Sequence, residues 1–166
     1  MTLDKPYAVA VYGLPAPKGS LKCIGEVGNV KHQLVDDEKV PVRRWRERVR
    51  LAGDDLRRRI GGTVADDTPV EVTVTLTLPR PKKHFRTGRF AHLLRDDAPP
   101  WPSRRGSKDD DKLARCVLDG LQDSQVFADD AQVVGLTVWK CYPDTPHAPD
   151  QLDRPGAVIR ILPIES

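Results

Sequence analysis

No apolar run in the chain approaches the roughly 20 residues that a membrane-spanning helix needs, so a membrane partner is not expected. The opening MTLDKPYAVA lacks the basic-then-apolar layout of a secretory signal, and a cytosolic location is the expectation. The three cysteines, Cys23, Cys116 and Cys141, share no C-x-x-C spacing and are odd in number. That argues against a disulfide framework or a structural zinc site, and they read as small buried hydrophobes. The four histidines (His32, His84, His92, His147) form no i, i+4 pair, which removes a histidine metal site. The loop GLPAPKGSLK, residues 13–22, offers Lys18, Ser20 and Lys22 as phosphate donors. It lacks the Gly-x4-Gly-Lys-Ser/Thr spacing of a nucleotide cradle, so no nucleotide cofactor is expected. There is no internal repeat.

What remains is a chain of 166 residues with 39% apolar content, enough for one modest core and read as one domain over 1–166. Net charge is only +3, but its distribution is uneven. Six Lys or Arg and no acid lie between Arg80 and Arg95, and Arg104, Arg105 and Lys108 follow. Eight arginines against three acids lie between Val42 and Ile60. Such stripes suit a polyanion-binding surface. A solvated helix face or loop has the same composition, and both readings stay open.

Periodicity gives the elements. YAVAVY (7–12) reads as a strand. Val42, Trp45, Val49, Ala52, Leu56 and Ile60 step by three and four, the apolar face of a helix with Pro41 near its start. Gly53-Asp54-Asp55 is expected to weaken its middle, and Gly61-Gly62 to end it. VEVTVTLTL (70–78) is the clearest strand, stopped by Pro79 and Pro81. Residues 82–107 carry no periodic segment and read as a long basic loop, functional or disordered. Leu113, Val117 and Leu121 give a second helix. Strands are expected over 133–140 and 156–164, the last at a sheet edge or terminus because of Pro163. The expected fold is α+β: a small mixed sheet of about four strands with two main helices packed on it, in β-α-β-α-β-β order, and a long basic loop.

Carboxylates crowd both ends of the second helix: Asp109, Asp110 and Asp111 before it, Asp129 and Asp130 after it. Anions are favourable at a helix N-terminus, and an Asp pair shapes turns, so neither group alone requires catalysis. Asp-Asp pairs also stand at 36–37, 54–55, 66–67 and 96–97. The combination says more. Asp111 and Arg115 are i and i+4 and share a helix face, and a short return could bring Asp129-Asp130 to the same place. Converging carboxylates suit Mg²⁺, and Mg²⁺ beside a cation is what phosphodiester hydrolysis requires.

The set Asp109-Asp110-Asp111-Lys112-Leu113, Arg115, Val117-Leu118-Asp119-Gly120-Leu121, Asp129-Asp130-Ala131-Gln132-Val133 and Lys140 resembles the RusA family of Holliday-junction resolvases. The resemblance implies a cytoplasmic, bacterial or phage-encoded homodimer that cuts four-way DNA junctions with Mg²⁺, Mn²⁺ substituting. It implies Asp109, Asp111, Asp130 and Arg115 as catalytic residues, and Asp109, Asp111, Asp130 and Asp129 as metal ligands. Lys18, Lys82, Lys83, Arg86, Arg89, Arg104, Arg105, Lys108 and Lys112 are the expected DNA contacts. Two departures stand out: Arg115 replaces the family's lysine, and Asp110 stands where leucine or a similar residue is common. Two other functions remain open, a Mg²⁺ nuclease on flaps or forks and a junction-binding protein without catalysis.

Overall fold

The computed structural model of the chain describes residues 7–19, 22–23, 34–35, 40–104 and 108–164. Ser20 and Arg105, both expected phosphate contacts, lie outside the described residues. Four strands form the main sheet in the order β1 (Tyr7–Tyr12), β6 (Gly156–Pro163), β4 (Val70–Thr77), β5 (Val133–Cys141). β6 runs antiparallel to both of its neighbours, and β4 and β5 are parallel. The sheet is therefore mixed, as expected. β2 (Lys22–Cys23) and β3 (Leu34–Val35) pair with each other outside it, too short to leave a periodic signal.

The two helices, α1 (Val40–Ile60) and α2 (Asp110–Asp123), pack on each other and on the sheet. Val42, Trp45, Val49 and Leu56 from α1 meet Leu113, Val117 and Leu121 from α2 and Val70, Val72, Val74 and Leu76 from β4 in one core. The expected weak point at Gly53 is instead a packing point. α1 is continuous there, and a Cβ on Gly53 would lie 2.2 Å from Ser124 Oγ. Gly120, inside α2, faces Val49 Cγ1 at 2.8 Å and the Arg46 carbonyl at 2.9 Å from its own notional Cβ. Gly120 brings α2 against the backbone of α1, and Gly53 admits the side chain of Ser124, the residue that ends α2.

Pro163 closes β6, which is an interior strand, so the proline marks the terminus and not the edge. On the sheet face opposite the valines, Thr75 and Thr77 are fully buried. Thr77 Oγ1 accepts the Leu152 N–H at 3.0 Å, which ties the 142–155 loop down over that face.

The long basic connection has structure of its own. Short 3₁₀ turns occur at Lys82–His84 and Gly88–Phe90, and Phe85 bridges Leu94. Arg80 fastens it. Its Nε donates to Asp144 at 2.8 Å, its Nη1 donates to the Pro99 carbonyl at 2.8 Å, and its guanidinium lies 4.4 Å over the Tyr142 ring. Hydrophobic periodicity is blind to such a segment, because polar clamps and proline hold it in place of an apolar face.

Candidate functional site

α2 begins where β5 ends. Asp109 is the cap residue, in extended conformation; its carbonyl accepts the Leu113 N–H at 3.1 Å while its side chain makes no cap bond. That leaves the carboxylate facing solvent, 3.3 Å from Lys112 Nζ. Asp110 pairs with Lys140 at 2.7 Å, and Lys140 Nζ also donates to the Lys108 carbonyl at 3.1 Å. Lys108 Nζ donates to the Pro15 carbonyl, and burial lowers its pKa below the ordinary lysine range. Lys18 binds the same helix twice, by its N–H to the Lys112 carbonyl at 3.0 Å and by Nζ to Asp119 at 2.8 Å. The first turn of α2 is thus fixed by β5 on one side and by the 13–19 loop on the other. Asp111 and Arg115 are exposed and have no ion-pair partner among the described residues.

Asp129 and Asp130 lie elsewhere. Asp129 caps the single 3₁₀ turn Asp130–Gln132, accepting the Ala131 N–H at 2.8 Å. Gln132 locks that turn to the chain before β4. Its Oε1 accepts the Ala128 and Asp129 N–H groups at 2.8 and 3.1 Å, and its Nε2 donates to the Ala65 and Thr68 carbonyls at 2.7 and 3.1 Å. Asp66 and Asp67 line a cleft together with Asp129 and Gln132. Asp110 touches Lys140 near the end of β5, whereas Asp130 precedes its start. α2 runs back between them for 14 residues, roughly 20 Å at about 1.5 Å per residue. The expected meeting of all these carboxylates does not occur within one chain. Among the described residues no group of three or more Asp, Glu, His or Cys is placed to hold a metal.

Asp109 and Asp111 nevertheless fit a Mg²⁺ site of the usual kind. That ion takes one or two carboxylates and fills its other positions with water and substrate phosphate. Their oxygens are hard, solvent-open and adjacent to lysines.

The basic residues divide. Lys82 and Lys83 are exposed and unpaired among the described residues. Arg86 pairs with Asp96 at 2.8 Å, Arg104 donates to the Asp97 carbonyl at 3.3 Å, and Arg89 lies over Phe90. The arginine stripe of α1 is mostly internal pairing: Arg46 with Asp123 on α2, Arg50 with Glu47 and Asp54, Arg58 and Arg59 with Asp55. Arg80 appears in the sequence only in the basic stripe, and Gln132 and Lys140 only as members of the motif set; the anchoring contacts of all three emerge from the fold. Their partners are 64, 67 and 32 positions away, at distances where spacing gives no signal.

A helix start with solvent-open carboxylates, braced by lysines and flanked by a basic arch, is chemistry suited to hydrolysing a phosphodiester backbone. The chain belongs to the RusA family: the family description Endodeoxyribonuclease RusA matches residues 22–149, well over half of it. It is accordingly an endodeoxyribonuclease of a family that acts on Holliday junctions. No curated protein matches the chain. No described helix is long and apolar enough to cross a membrane.

Proposed function

We propose that the protein resolves four-way DNA junctions by paired Mg²⁺-dependent phosphodiester hydrolysis, with Mn²⁺ able to substitute. The observation that carries this reading is the pair of exposed carboxylates, Asp109 and Asp111, on a firmly braced helix start in a RusA-family chain. When bound, the divalent ion supplies an activated water and neutralises charge developing on the scissile phosphate. Asp109 and Asp111 hold it. Arg115, one turn further along α2, offers its guanidinium fork to position phosphate oxygens. Lys82, Lys83, Arg86, Arg89 and Arg104 contact the DNA backbone along the connection, and Lys18, Lys108 and Lys112 line the approach to α2.

Asp129 and Asp130, about a helix length away in the same chain, are supplied to the site by a second copy of the protein. A twofold pair of chains also matches the twofold symmetry of a junction, whose two equivalent strands must both be cut.

The test is cleavage of a synthetic four-way junction. Product bands are expected with Mg²⁺ and none with EDTA. Asp111→Asn and Asp130→Asn are expected to lower the rate by more than the roughly 10–100-fold that loss of an outer partner of a metal costs, with junction binding retained. Full activity in either variant defeats the assignment of that residue. A panel of flaps and forks cut faster than the junction would move the substrate to other branched DNA, and binding without products would leave a binding protein only.

A further inference from the structure

Beside the start of α2 lies a cavity of about 310 Å³ that the reading above does not use. Its walls are Trp101, from the end of the basic connection, and Trp139, from β5. Their ring centroids are 6.4 Å apart and their planes tilt by 43°, a contacting aromatic pair at the side of the cavity. Trp139 is 45% exposed, an unusual position for the largest aromatic side chain. The Asp110–Lys140 ion pair and Ser103 also line it. Asp110 is therefore shared: its neighbours Asp109 and Asp111 are the proposed metal ligands, and its own carboxylate lines the slot.

We propose that this slot receives one nucleobase of the junction, unstacked at the branch point next to the phosphate that is cut. The proposal rests on the resolvase reading and deepens it. Three observations carry it. A base needs an aromatic face on which to stack, and an open indole provides one whatever the base. Every base edge also presents donors and acceptors side by side. The lining answers with a carboxylate acceptor and an ammonium donor 2.7 Å apart. Finally, the cavity meets the helix start that carries Asp109 and Asp111, so a base seated there brings its own backbone phosphate to that end of α2. A branch point is where such a base costs least to extract, because stacking is already interrupted there.

The experiment is fluorescence anisotropy of a labelled four-way junction, and of a linear duplex of the same sequence, in EDTA. Wild type, Trp139→Ala and Trp139→Phe are compared, each checked for its oligomeric state and its circular dichroism. Trp139→Ala is expected to weaken junction binding by about tenfold and duplex binding by under about twofold, and Trp139→Phe to recover most of the loss. Trp101→Ala, a second variant away from β5, is expected to shift the junction in the same direction. Equal weakening of junction and duplex, no weakening, or a changed oligomeric state with Trp139→Ala would overturn the proposal; the last would make Trp139 a subunit contact. Wild type that cleaves junctions while Trp139→Ala binds normally would sink the slot alone. Wild type that neither binds nor cleaves junctions would sink the resolvase reading and the slot with it.

Discussion

Gln132 has one side-chain carbonyl and two N–H groups, and all are used: two backbone donors enter, two backbone carbonyls are met, and the side chain is buried. Gln132→Ala would strand four backbone groups at once. It is expected to cost about 2 kcal/mol or more, read as a shift in the urea midpoint. His84 is a second such residue. Arg80 can only donate, so His84 Nδ1 accepts at 3.2 Å and the ring is neutral. Burial, then the charges of Arg80, Lys83 and Arg104, hold its pKa below the ordinary histidine value. The folded protein therefore takes up this proton less readily than the unfolded chain. The corresponding stability is complete above about pH 6.5 and is lost as pH falls toward the lowered pKa. Denaturation midpoints measured between about pH 7 and pH 5 should fall, and His84→Asn should remove that part of the fall. At this scale the sequence displays its carboxylates plainly, since charge is a property of a single letter. It conceals Gln132 and Arg80, whose meaning lies in carbonyls folded against them from far along the chain.

Among elements, α1 and α2 are held close by what two residues lack. Replacing an exposed helical glycine by alanine ordinarily gains up to about 1 kcal/mol from propensity. At Gly120 the added methyl would stand 2.8 Å from Val49 Cγ1 and 2.9 Å from the Arg46 carbonyl. Gly120→Ala is therefore expected to destabilise by roughly 1–3 kcal/mol, measured by thermal or chemical unfolding, the reverse of the propensity effect. A stabilised variant would show that the helices can slide apart freely. Elements with a hydrophobic rhythm, α1, β4 and the core of α2, are legible in the sequence because burial imposes the rhythm. The role of Gly53 is not, since a glycine that weakens a lone helix and one that admits a neighbour look alike until the neighbour is in place. The arch between β4 and α2 is illegible for a related reason: ion pairs such as Arg86–Asp96 and the Arg80 clamp need no period.

For the whole molecule, the parallel pairing of β4 with β5 decides where the acids go. α2 is the crossover between those strands, so residues before it and residues after it are carried to opposite ends of the layer. Proximity along a short stretch of sequence suggests convergence; the crossover makes it separation. This gives a direct test of the two-copy site. Asp111→Asn and Asp130→Asn chains, each inactive alone, are mixed under conditions that exchange subunits. If one site draws Asp111 and Asp130 from different chains, each mixed pair contains one site with both carboxylates intact, and nicking of the junction should return. If each site is built within one chain, every site in the mixture is damaged and no nicking appears.

β5 closes its sheet on one side, and beyond it Val134 and Leu136 stand in water at 65% and 45% exposure. A rim of this kind, with backbone groups turned outward and greasy side chains beside them, is adhesive. An uncovered border of this kind favours the addition of stray strands, so aggregation of newly made chains is expected to start here.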